Sequence, residues 1–165
     1  MGVSDEEIRE AFRVRAAVMH PDSGGDEQEF AKLQGARDVL LSPARRLKEW
    51  MAARGMEADA RGQIEGGLMY LFQKVSEVGA AAELLIRDNA GAKSALVKAM
   101  VEVKLIKQRE QVKELLENIT EEIQLRIERF QEVEEGRMDS ATMMRDLIFL
   151  EKWRATLKGI YGRLM

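Results

Sequence analysis

Residues 4–46 read SDEEIREAFRVRAAVMHPDSGGDEQEFAKLQGARDVLLSPARR. Ser4 followed three residues later by Glu7 is a capping-box signature, so a helix is expected to begin there. Ile8, Ala11, Phe12 and Met19 then fall on one face at helical spacing. Pro21 stops that helix, because it lacks an N–H and pushes His20 out of the α region. Ser23-Gly24-Gly25 reads as a loop. Asp26 and Glu29 repeat the capping-box spacing and open a second amphipathic helix through Phe30, Leu33, Ala36 or Arg37, and Leu40. Ser42-Pro43 reads as the N-cap and first-turn proline of a short helix reaching about Trp50 or Ala53, with Gly55 at its end. Residues 1–55 are therefore expected to form helix, exposed loop, helix, short helix.

The chain changes character beyond that point. Residues 56–67 hold Gly62, Gly66 and Gly67 and read as a connector of poor helical propensity. From Leu68 through Leu71 or Phe72, Val75, Val78, Ala82 and Leu85 the apolar residues recur at about 3.5 residues. Asp88-Asn89-Ala90-Gly91 suggests a break. Lys93 to Glu135 then reads as one long helix without Gly or Pro, with a seam through Val112, Leu116, Ile119, Ile123, Ile127, Phe130 and Val133. Gly136 punctuates it, and Met144, Leu147, Leu150, Leu157 and Leu164 mark a last amphipathic helix. The expected architecture is all-α, with an antiparallel three-helix coiled-coil bundle over residues 68–165.

Composition narrows the chemistry. The chain has 165 residues, both prolines in its first third, and no cysteine. Absent cysteine excludes disulfides, thiolate catalysis and thiolate metal sites. A single histidine cannot hold zinc or haem alone, and no cofactor is expected. The net charge of −3 comes from interspersed acids and bases without a basic stripe, so a nucleic-acid partner is not expected. No apolar run is long enough to span a bilayer and the acidic start is unlike a secretory signal, so a cytoplasmic chain without a membrane partner is the expectation. Gly24-Gly25-Asp26-Glu27 lies in no α/β pattern, and the glycines at 62–67 precede no Lys-Ser/Thr pair; neither is a phosphate loop.

The chemistry-bearing residues are His20-Pro21-Asp22, on the loop directly after the first helix. Taken alone they are also an ordinary Asp-containing turn. With Ile8, Ala11 and Phe12 before them, and Phe30, Leu33, Ala36, Val39, Leu40, Pro43 and Arg46 after, the stretch over residues 2–51 resembles a J-domain. That resemblance implies a co-chaperone, not an enzyme, which stimulates the ATPase of a seventy-kilodalton heat-shock chaperone of the HscA/DnaK type. The loop would enter the junction between that chaperone's nucleotide domain and linker. Asp22 would accept a charge-assisted hydrogen bond from a partner Arg, Pro21 would fix the loop and His20 would supply directional bonds. Arg9 and Arg13 would steer the helix onto an acidic surface; as residues of a charged helix face they need no such role. The family's short first helix is missing before Ser4, and Arg15 stands where the family has a core Leu, so the expected J-domain is truncated.

A second resemblance is to HscB, the J-protein family of iron–sulfur cluster assembly, carried by Pro43-x-x-Arg46 and by Leu147-Ile148-Phe149-Leu150-Glu151-Lys152-Trp153-Arg154. It implies a J-domain packed on a three-helix bundle, with Leu68, Met69, Phe72 and Phe149 as an apolar client patch for an iron–sulfur scaffold protein of the IscU type. On periodicity alone the same four residues fit a bundle core. The sequence departs from that family in Gln73, Ser76 and Ala80, which replace flanking acids, in a longer middle helix, and in lacking zinc cysteines. The alternatives are a J-protein adaptor for another client, and a structural coiled-coil protein with a degenerate J-domain.

Overall fold

The computed structural model describes residues 3–57 and 66–165. Its elements are α1 (Asp5–Met19), a 3-10 turn (Pro21–Ser23), α2 (Glu27–Leu40), α3 (Pro43–Ala52), α4 (Gly66–Gly91), α5 (Ala95–Glu128), α6 (Phe130–Glu134) and α7 (Ser140–Leu164). The fold is all-α. Local chemistry sets the helix ends. The Ser4 hydroxyl accepts from the Glu7 N–H while the Glu7 carboxylate accepts from the Ser4 N–H at 2.8 Å, a complete capping box. Asp26 accepts from the Glu29 N–H and Ser42 from the Arg45 N–H, with Pro43 at the first position of α3. Gly55 and Gly136 follow helix ends with φ of +68° and +72°, where a side chain would be strained.

Two compact units emerge, and they group the chain differently from its motifs. Residues 1–61 cluster with 126–147, and residues 62–125 with 148–165. In the first unit α1 packs on α2 and α2 on α3. Leu47 and Met51 of α3, Phe130 and Val133 of α6, and Met144 and Leu147 at the start of α7 are all buried in this unit. Arg46 is buried as well; it donates to the Val3 carbonyl at 2.8 Å and lies 5.8 Å from the Phe130 ring centroid. Arg126 and Asp146 form a buried ion pair at 3.2 Å.

In the second unit α5 runs beside α4 and α7. Gln108 is buried and donates to the Val78 carbonyl at 3.0 Å. Arg109 donates to the Leu164 carbonyl at 2.6 Å, and Arg163 pairs with Glu83. Val112, Leu115, Ile119, Leu150 and Leu157 fill the seam.

Three expected boundaries move. Of the connector over 56–67, residues 58–65, Gly62 among them, lie outside the described residues. Gly66 and Gly67, however, form the first turn of α4, drawn into the helix by the buried Leu68 and Leu71. The expected break at residues 88–91 falls later: α4 runs through Gly91, and the turn occupies residues 92–94. The long helix expected to run to Glu135 ends at Glu128. Arg129 (φ −88°, ψ 5°) donates to Arg126 in an i−3 bond of 3.2 Å. The chain resumes as α6, in which Phe130 and Val133, at i and i+3, share one buried face.

Candidate functional site

α1 ends where Pro21 requires it. His20 is extended (φ −66°, ψ 137°), and Pro21–Ser23 then turn as one 3-10 unit. The Ser23 and Gly25 N–H groups both donate to the His20 carbonyl, at 2.9 and 3.1 Å, and the Gly24 N–H donates to the Pro21 carbonyl at 2.9 Å. Gly24 is left-handed (φ 86°). A Cβ on Gly25 would sit 2.1 Å from the Met19 carbonyl oxygen, so the return of the chain past the end of α1 admits only glycine. The loop is thus closed by its own backbone hydrogen bonds.

That closure orients the two polar side chains differently. His20 Nδ1 accepts from the Asp22 N–H at 3.2 Å, so the neutral ring carries its proton on Nε2. The ring packs edge-on against Phe30 of α2, with centroids 4.9 Å apart. The Asp22 carboxylate lies 3.5 Å from His20 Nδ1 but is 90% exposed, free to accept a bond from a partner. His20 is therefore held from two sides and Asp22 is presented.

Arg13 joins this surface. An open depression beside the loop is lined by Phe12, Arg13, Ala16, Ala17, His20, Asp22 and Ser23. Glu10 currently occupies both arms of Arg13, at 2.7 and 2.8 Å; the bond holds the Glu10 carboxyl below the usual carboxylate range and the Arg13 guanidinium above its own. The pair is solvent-exposed, so exchange for another carboxylate costs little. Arg9 lies one turn earlier, 3.6 Å from Asp5, and does not line the depression. Arg15 is exposed.

Over about a third of its length, this chain is similar to DnaJ proteins. It is 36% identical over 66 residues to DnaJ protein homolog 1 of Allium porrum, covering 34% of this chain and 17% of that one. It is 39% identical over 69 residues to Chaperone protein DnaJ of Halorubrum lacusprofundi, covering 39% and 18%. With Chaperone protein dnaJ A6 of Oryza sativa it shares 42% over 43 residues, 26% of this chain and 10% of that one. The chain spans less than a fifth of the length of each of these relatives. No family model matches, and no solved structure matches. The likeness supports a J-domain co-chaperone; HscB is not singled out by it.

Sequence reasoning missed three contacts in and around this loop. Phe30 reads from periodicity as helix core, yet it is half-buried and supports the His20 ring. Gly25 reads as one loop glycine among several. Arg37 lies 4.5 Å above the Phe12 ring and ties α2 to α1. The paired Gly24-Gly25 behind a proline-terminated helix was the available signal for the tight return; the two ring contacts had none.

In the second unit the four expected patch residues divide. Leu68 is 1% exposed and belongs to the core. Met69 and Phe72 are 46% and 42% exposed, and Phe149 is half-buried. Phe72 and Phe149 each approach Trp153, with ring centroids 6.0 Å apart in both cases. The buried Trp153 thus links the two phenylalanines, with the exposed Met69 one turn before Phe72 on α4. Its place one turn beyond Phe149 is legible at i+4 spacing, but its role as the link between helices is not.

Proposed function

We propose that this protein is a J-protein co-chaperone, not itself an enzyme, acting in the cytoplasm on a seventy-kilodalton heat-shock chaperone of the DnaK or HscA type. The observation that carries the reading is the loop after α1: Asp22 is exposed while His20 is fixed by the Asp22 N–H and Phe30. A carboxylate presented on a preorganised loop can take a partner's guanidinium without first losing loop entropy. His20 Nε2–H adds a second directional bond, and Arg13 a charge that Glu10 can release. The chaperone, not this chain, performs the hydrolysis. In a steady-state ATPase assay His20→Gln is expected to abolish stimulation. Its stability cost comes from the ring contact with Phe30 and the bond from the Asp22 N–H, each about 0.5–1.5 kcal/mol. Equal stimulation by wild type and variant would sink the reading.

Within that function, we infer that residues 68–165 hold the client and residues 1–55 call the chaperone. The client surface is Met69, Phe72 and Phe149 with Trp153, and Leu68 supports it from the core. Exposed Met69 and Phe72 beside half-buried Phe149, all resting on the buried Trp153, form the kind of apolar surface that marks a partner site, and Met adapts it to an uneven partner. The likeness of these positions to HscB nominates an iron–sulfur scaffold protein of the IscU type as that client. Met69→Ala with Phe149→Ala is expected to weaken scaffold binding by about 2 kcal/mol or more in calorimetric titration, with the melting transition largely retained. Wild-type protein that ignores the scaffold leaves an adaptor for another client. A collapse of the melt, at roughly 2–5 kcal/mol per buried side chain, assigns the residues to the core instead.

A further inference from the structure

The first three turns of α5 are apolar on two opposite faces. Val101 and Leu105 are buried, in line with Gln108 at i, i+4 and i+7. Leu96, Met100 and Val103 share the same spacing two residues round the helix, hence on its far side, and are 71%, 58% and 69% exposed. Val97 and Ile106 flank them and are exposed too. Further along α5 the far side turns charged, with Lys107, Glu110 and Glu114. An exposed apolar stripe edged by polar residues marks an interaction site.

Size and charge select the occupant. The stripe spans three turns, roughly 15 Å at 1.5 Å per residue. A stable dimer uses about 800 Å² and some 20–30 residues per partner, far more than these five side chains supply. Anchors at i, i+4 and i+7 are what a single docked helix engages. Lys104 and Lys107 stand one turn beyond Met100 and Val103, exposed and without an ion pair among the described residues. The neighbouring Glu102 is engaged by Arg109 at 3.4 Å. We propose that the outer face of α5 from Leu96 to Lys107 binds an amphipathic helix of another protein, with apolar anchors on one side and carboxylates along the edge that meets Lys104 and Lys107. This surface is separate in sequence from His20-Pro21-Asp22 and from the aromatic cluster, and the proposal stands without the J-protein reading.

The test uses the full chain and two fluorescein-labelled four-turn Leu/Ala helices, one edged with Glu and one with Lys, read by fluorescence anisotropy. The Glu-edged peptide is expected to bind at least about tenfold tighter, and more weakly as salt rises. Met100→Ser with Val103→Ser should lose that binding without moving the circular-dichroism melt, because both side chains are exposed. Lys104→Glu with Lys107→Glu should reverse the preference between peptides. The proposal is overturned if neither peptide binds or both bind alike. It is also overturned if sedimentation shows self-association that the Met100/Val103 variant abolishes, or if that variant instead loses binding to phosphatidylserine vesicles.

Discussion

The α1–α2 pair and the α4–α5–α7 bundle are both antiparallel helical structures, yet they are held by different forces. Across α1 and α2 only Ile8 is buried; Phe12, Phe30 and Leu33 are half-exposed, and Val14 and Val18 face solvent. Order there comes from the Ser4–Glu7 capping box, the Asp26 cap, the self-closed loop and the Arg37–Phe12 contact. In the bundle a continuous seam is fully buried, including Val112, Ile119, Leu150 and Leu157. Caps contribute about 1 kcal/mol each, whereas each large side chain removed from water contributes roughly 1.5–3 kcal/mol. The helix pair that presents the His20-Pro21-Asp22 loop is therefore the weakly held region, and it depends on α3 and on residues 126–147 for a core. The loop's own geometry is local.

The largest effect expected from this contrast is on the fragment of residues 1–55. It retains the caps and the loop but loses Phe130, Val133, Met144 and Leu147, which are buried in the same compact unit as Leu47 and Met51. A 55-residue chain stripped of that surface has little to bury, so circular dichroism should show a shallow, non-cooperative melt. A cooperative transition near the midpoint of the whole chain would break the comparison.

Next comes the buried ion pair against an exposed one. Asp146 is buried, bonded to Arg126 at 3.2 and 3.3 Å, and its Oδ1 finds no hydrogen-bond donor among the described residues. Asp146→Ala breaks this buried pair and should cost about 3–5 kcal/mol. Glu10→Ala breaks a shorter, bidentate pair with Arg13 on the exposed surface of α1 and should leave the urea midpoint nearly unchanged. Urea denaturation of both variants reads the difference, and similar costs would contradict it.

The smallest effect sharpens the role of caps. Asp139 accepts from the Thr142 hydroxyl at 2.6 Å and the Thr142 N–H at 2.9 Å at the start of α7, and these bonds hold its carboxyl below the usual range. Because the folded value is the lower one, the cap's contribution is complete above the unfolded value of about 4 and is lost as pH falls through the folded value. Asp139→Ala should cost about 1 kcal/mol near neutral pH. The gap between wild type and variant should close at about pH 2, and a gap unchanged at that pH would show that the carboxylate charge is not what stabilises the turn.

Sequence alone determined whatever depends on atoms within about four residues of one another. The starts of α1, α2 and α3 follow from Ser4, Asp26 and Ser42-Pro43; the end of α1 follows from Pro21; and the exposed His20-Pro21-Asp22 loop follows from both. Caps, proline stereochemistry and helical period act locally, so one strand of text carries them. Tertiary structure decided which of several apolar residues on a helix turned inward. Leu68 went to the core while Met69 and Phe72 stayed out, and Trp153 joined Phe72 to Phe149 across two helices. It also decided the turn at Arg129, the burial of Arg46 and Asp146, and the seating of His20 on Phe30. The reason is physical: a helix's period fixes the spacing of its faces, but the neighbouring helix fixes which face loses its water, and that neighbour lies tens of residues away in the chain.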